Sequence, residues 1–114
     1  MPTLRIVSVN DVYSLEHLPR LKTLVAHYLD VNPADATLVV LAGDFVAPSL
    51  LSSLDAGRGM VDCLDDVGVT HVVFGNHVDD IPTAELHRRI EQLDGNWLST
   101  NVRFDARTKM HDVI

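Results

Sequence analysis

Cysteine occurs once in this chain, aromatic residues make up only 5% of it, and basic residues are outnumbered 9 to 16 by acidic ones. Each scarcity excludes something. A lone cysteine rules out an internal disulfide framework, so the fold must be held by burial. Cys63 lies in the helical pattern Met60 to Leu64 with no histidine beside it, and reads as a buried structural thiol. No apolar run reaches the roughly 18 residues that a membrane helix needs, and no basic-then-apolar leader precedes the first strand. A soluble, cytoplasmic chain with no membrane partner is expected. The net charge of −7 opposes binding to a nucleic-acid backbone. Proline-, glycine- or serine-rich linkers and low-complexity tracts are also missing.

What remains is apolar enough to fold. The chain has 114 residues, 46% of them apolar, and a mean hydropathy of +0.12, which suits one domain with one core. Residues 3–9 read as a buried first strand. Leu18, Leu21, Leu24, Val25 and Leu29 then recur at helical spacing, with Pro19 near the helix start, where its missing N–H costs little. Thr37 to Ala42 is so uniformly apolar that it reads as a parallel strand covered by helices on both faces. A short helical start at Leu50 is broken by Asp55 to Gly59, and a second helix runs from Met60 to Val67. Gly68 looks like its terminator, because glycine accepts the left-handed conformation of such caps. A strand from Val69 to Phe74, a helix after Ile81-Pro82-Thr83 with Leu86, Ile90 and Leu93 as its buried stripe, and a strand from Trp97 to Val102 complete the pattern. The resulting β-α-β-α-β-α-β order predicts an α/β fold with a parallel or mixed sheet and right-handed crossovers. Residues 103–114 read as a loop followed by the start of a further strand at Met110 to Ile114, which suggests a longer natural chain.

Three strands end in polar groups. The first runs into Asn10-Asp11-Val12-Tyr13, the second into Gly43-Asp44-Phe45, and the third into Gly75-Asn76-His77-Val78-Asp79-Asp80. The step from Asp11 to Asp44 and from Asp44 to His77 is 33 residues each time, about one strand-helix-strand unit. Ligands in such sheets gather at the carboxyl ends of strands. Asp11, Asp44, Asn76 and His77 offer the donors that two divalent ions need: carboxylates to carry charge, and a neutral amide and imidazole to complete the shell. Two such ions can clamp a phosphate and activate a water. The structural alternative is that Asp11 and Asp44 cap helices, and that Asp79 and Asp80 are the charged start of one. His17, His27 and His87 sit among charged neighbours on helices and read as solvated, as do Arg88 and Arg89. His71 reads as a core or edge histidine and Trp97 as core.

The three blocks, together with Gly43 to Ser49 and Ser99 to Val102, resemble the calcineurin-like metallophosphoesterases, closest to the 5′-nucleotidase-like branch. The resemblance spans nearly all of residues 4–102, and implies that 1–102 is the N-terminal half of a layered metallophosphoesterase domain. It further implies that Asp11 ligates a first metal, Asp44 bridges two, Asn76 ligates the second, and His77 is the catalytic imidazole, oriented by Asp80. The ions would be Mn, Zn, Fe or Mg, and the substrate a phosphate ester or nucleotide. The chain departs from the family pattern in three places. Tyr13 stands where the first block has histidine, so it is either a metal ligand or a pocket wall. Val78 replaces a glutamate, and the later histidine ligands have no counterpart. Metal-dependent phosphoester hydrolysis is therefore one reading. The other is an inactive metal-binding or self-associating domain, whose uncovered sheet invites a homodimer or strand exchange.

Overall fold

Every strand of the sheet points the same way. The computed structural model describes residues 1–46, 49–77 and 80–101, in the order β1 (Leu4–Val9), α1 (Leu18–Asp30), β2 (Ala36–Leu41), α2 (Leu50–Asp55), α3 (Arg58–Val67), β3 (His71–Val73), α4 (Thr83–Gln92) and β4 (Asn96–Leu98). The strands lie side by side as β1-β2-β3-β4, all parallel, so of the two expected arrangements the sheet is the parallel one. Parts of the expected pattern fall outside the described residues: Pro48, Val78, Asp79, Val102 and the strand beginning at Met110.

The topology decides where the core lies. A right-handed crossover that steps one strand at a time, always in the same direction, returns each helix to the same face of the sheet. Accordingly Leu18 and Val25 of α1, Met60, Val61, Leu64 and Val67 of α3, and Leu86 and Ile90 of α4 pack in one cluster with Val39, Leu41, Val72 and Trp97. Register and alternation put those last four on one face of the sheet. Helices on both faces were the expectation for β2. Instead Leu38 and Val40, its other face, are only half-buried, because no crossover reverses direction.

Edge position limits α1. Its stripe is buried at Leu18 and Val25, but Leu24 and Leu29 stay 46% and 48% exposed, since the helix lies over the edge strand β1. Arg5 on β1 ties the two together, its Nη1 donating to the carbonyls of Tyr28 (2.7 Å) and Asn32 near the helix end, where carbonyls lack intrahelical partners. The expected stop at Gly68 is present: it closes α3 at φ 93°, its N–H bonding back to Leu64 and Asp65. Ser49 and Ser52 form a reciprocal capping box at the start of α2.

Two further expectations change. β4 ends at Leu98 and leaves Ser99 to Asn101 outside the strand, because β3 offers only His71 to Val73 to pair with. Arg88 is exposed as expected, but Arg89 is buried at 7%. It lies three residues after Leu86, so the buried stripe of α4 takes in its aliphatic stem, and its Nη2 lies 4.0 Å from Glu85. His71 is a satisfied buried histidine, with Thr70 at 2.9 Å from its Nδ1, and Cys63 is part-buried against the core. No helix among the described residues is long and apolar enough to cross a membrane.

Asp65, at the end of α3, accepts the Asp94 N–H at 3.0 Å. Burial pushes its carboxyl above the usual 3.8, and the charges of Asp94 and Asp62 push the same way. An acid whose pKa rises on folding binds its proton more tightly in the native state, so stability falls as pH climbs through and above 3.8. Asp65→Asn keeps the acceptor and removes the charge. Thermal denaturation should show it stabilised at pH 7 by about 0.5 kcal/mol after allowance for solvent screening, about 2–4 °C, with the gain vanishing below pH 4.

Candidate active site

Because the strands are parallel, all their carboxyl ends open on one edge, and the polar blocks follow there. β1 delivers Asn10, Asp11 and Tyr13; β2 delivers Gly43 and Asp44; β3, after Phe74, delivers Gly75, Asn76 and His77.

Asp11 and Asp44 both adopt left-handed backbone, at φ 55° and 53°. That conformation is disfavoured for residues with a Cβ by roughly 1–2 kcal/mol, aspartate being among the few side chains that tolerate it. The residues that precede the helices are others: His17 stands at the start of α1 and Ser49 at the start of α2. The capping alternative for the two aspartates is therefore excluded. Two strained aspartates at adjacent strand ends are what a site under external constraint looks like.

The second and third loops interlock. A Cβ at Gly75 would fall 1.8 Å from Asp44 Oδ1 and 2.5 Å from the Asp44 nitrogen, and one at Gly43 would fall 2.9 Å from Gly75 Cα. Only glycines permit this approach. With the loops in contact, the His77 backbone N–H donates to Asp44 Oδ1 at 3.1 Å. Asp80, as expected, holds His77: its Oδ2 lies 2.8 Å from Nδ1, with the two side chains 36% and 47% exposed. That leaves Nε2 as the ring nitrogen free of this contact. Asn76 is exposed at the turn between Gly75 and His77.

Tyr13 connects the first loop to the others. Its hydroxyl donates to Asp11 Oδ1 at 2.8 Å, while Asn10 Nδ2 donates to Asp11 Oδ2 at 2.9 Å. Its ring meets the His77 ring edge-on, centroids 6.3 Å apart at 84°. The bond to Asp11 pushes the phenol up to about 12, helped by desolvation and by the negative charges of Asp11 and Asp44. Tyr13 is thus a neutral donor at physiological pH. Asp44 and His77 line a small recess with Phe45, Phe74 and Trp97, whose rings pack 5.1–5.5 Å apart. The recess that Asp11 and Tyr13 line is a separate, more open one, shared with Val9 and Leu18.

The donor set fits a divalent ion in part. Carboxylates of Asp11 and Asp44 and the amide of Asn76 have the right hardness, and each Asp11 oxygen keeps a lone pair beyond its present hydrogen bond. Among the described residues, however, no group of three or more His, Cys, Asp or Glu side chains is placed to hold one ion. The aromatic wall escaped the sequence reading, which took Trp97 as core alone. It is both core, at 1% exposed, and wall. The glycine preceding Asp44 and the one preceding Asn76 were the available signal for the loop contact.

This parallel α/β sheet, with helices on one face and a polar edge at its strand ends, is shared with part of two larger solved structures. A Staphylococcus aureus protein assigned as a 5′-nucleotidase, solved in complex with α-ketoglutarate, superposes with a TM-score of 0.69 at 16% identity, covering 96% of this chain and 25% of that one. Thermus thermophilus sulfate thiohydrolase SoxB, solved with glycerol, gives 0.65 at 23% identity over 80% of this chain and 17% of its own. The chain thus spans a quarter or less of the length of either. No family model matches the sequence and no curated protein sequence matches it.

The loop contact can be broken at one atom. Gly75→Ala places a methyl inside Asp44, and should destabilise the fold by about 2 kcal/mol, roughly 10 °C in melting temperature. An unchanged melting curve would mean that the second and third loops do not meet.

Proposed function

We propose that this chain carries the first part of a metal-dependent phosphoester hydrolase site, with nucleotide-like esters as the favoured substrates. The observation that carries the reading is the interlock of Gly43-Asp44 with Gly75-His77, in which the Asp44 carboxylate accepts the His77 backbone N–H and Asp80 holds the His77 ring. The fold likeness to a 5′-nucleotidase and to a thiohydrolase supports it, as does the resemblance of the three sequence blocks.

Asp11, Asp44 and Asn76 are the residues that would hold divalent ions. When bound, such ions supply charge neutralisation at the phosphate and a water acidic enough to attack it. His77 faces the substrate with Nε2 and gives the leaving oxygen its proton, while Asp80 fixes the ring by its other nitrogen. Tyr13 holds Asp11 through its hydroxyl and steadies the His77 ring with its edge. It becomes a ligand only where a metal displaces its proton. The remaining ligands come from outside the described residues.

A second reading is an inactive, metal-binding domain. It is favoured by the half-complete donor set. The two separate in one assay: hydrolysis of a chromogenic phosphodiester with Mn²⁺ or Zn²⁺. The hydrolase reading expects metal-dependent turnover that falls roughly 10²-fold or more in His77→Ala and less in Asp80→Asn. Turnover that never exceeds the His77→Ala control would leave the binding reading, which quenching of Trp97 fluorescence by Mn²⁺ would then register.

A further inference from the structure

The Asp11 carboxylate stands exposed just beyond β1, on a left-handed backbone, so packing does not fix its direction. A pair of hydrogen bonds does, one to each oxygen. Tyr13 donates its hydroxyl to Oδ1 at 2.8 Å, and Asn10 donates its side-chain amide to Oδ2 at 2.9 Å. A single donor would leave the group free to pivot about the bonded oxygen. Two donors on different oxygens set its plane and still leave each oxygen a lone pair for a further partner.

Asn10 serves nothing else that the structure shows. Asparagine beside a strand end ordinarily bonds to backbone and shapes a turn. Among the described residues, the Asn10 side chain bonds to the Asp11 carboxylate alone. It is exposed, so it contributes little to the core, and a hydrogen bond between exposed groups adds little to stability because water replaces it. Its chemistry suits the one contact it makes. An amide turns its NH₂ towards a carboxylate, since its own oxygen would be repelled there, and unlike lysine or arginine it brings no charge. The carboxylate is steered while the negative charge that draws a cation is kept whole.

We propose that Asn10 is a positioning residue of the candidate site: with Tyr13 it clamps Asp11, so that the carboxylate meets a divalent cation in one prepared orientation. The inference rests on the reading that Asp11 holds such an ion. Asn10 acts at one remove, through Asp11, and touches neither ion nor substrate. Hydrogen-bond partners of ligating carboxylates keep the ligand in place, and their loss typically costs about 10–100-fold in metal affinity, because a carboxylate left to swing must be ordered when the ion binds.

Mn²⁺ binding to the 114-residue chain, followed with no substrate present by loss of the free ion's electron paramagnetic resonance signal, tests this. Asn10→Leu keeps the size of the side chain and removes its donor. It should weaken Mn²⁺ binding roughly 10-fold or more, while the melting temperature stays within about 3 °C of the parent's. Asn10→Gln, which keeps an amide on a longer stem, should recover part of the loss. Combined with Tyr13→Phe, Asn10→Leu should weaken binding beyond either change alone. Asp11→Asn separates the inference from the reading beneath it. If Asp11→Asn weakens binding and Asn10→Leu does not, Asp11 is a ligand that needs no clamp, and the proposal falls while the metal reading stands. If Asp11→Asn leaves binding unchanged, or the parent chain binds no Mn²⁺ at millimolar concentration, the metal reading falls and takes the clamp with it. A melting temperature that drops together with affinity in Asn10→Leu makes the residue structural, and overturns the proposal too.

Discussion

Crossover handedness governs this molecule. Parallel strands cannot be joined by tight turns, and each return path must cross a face of the sheet in the right-handed sense. With the described strands laid down as β1, β2, β3, β4 and no reversal, that single rule stacks α1, α3 and α4 on one side and leaves the other with no helix among the described residues. The same rule sends every strand out at the same edge. The polar edge and the one-sided placement of the described helices are thus two outcomes of one constraint. In sheets whose strand order reverses, ligands settle in the crevice at the switch point. Among the described strands the order does not reverse, and the loops form a recess by packing on one another.

They do so at the cost of backbone strain. Asp11 and Asp44 sit in left-handed conformations, and Gly43 and Gly75 meet at a spacing that no side chain allows. The returns are local: Asp44 gains the His77 N–H, and Asp11 gains donors from both Asn10 and Tyr13. Beneath them the core is anchored by Trp97, packed against Phe45 and Phe74 from the two loops that interlock. Burial of three aromatic rings is worth several kcal/mol on an area basis, enough to offset two strained residues. The core and the site therefore share the same residues, and loosening one loosens the other.

Much of this was legible in the residues themselves. Helices betrayed themselves by spacing: Leu86 and Ile90 on α4 and Leu93 just beyond its end are all buried, and Gly68 ends α3 where the pattern requires. The contact between Asp80 and His77 is the one that the family resemblance implied. What escaped the sequence was relational. Thr37 to Ala42 shows that both faces of β2 are apolar, but apolarity does not say which face a helix will cover. That depends on the order of the other strands. The length of β4 likewise depends on the three residues that β3 presents, and the burial of Arg89 on how far α4 is rolled. Periodicity reports what a segment could bury, while neighbours decide what it does bury.

The remaining question at the edge is how Asp11 and Asp44 tolerate each other's neighbourhood in an already acidic chain. Both press on the Tyr13 hydroxyl, keeping its proton in place, so the tyrosine partly screens Asp11 without contributing charge. An imidazole in the same position could carry a positive charge or offer a lone pair at neutral pH; a phenol held as a donor offers neither. Tyr13 is therefore a fixed hydrogen-bond donor to Asp11. The first loop thus orients its carboxylate through neutral donors alone. A cation between the loops would gain from both negative charges, and would share the Asp11 oxygens with the hydrogen bonds from Tyr13 and Asn10. Its affinity would depend on how much of the shell is supplied from elsewhere.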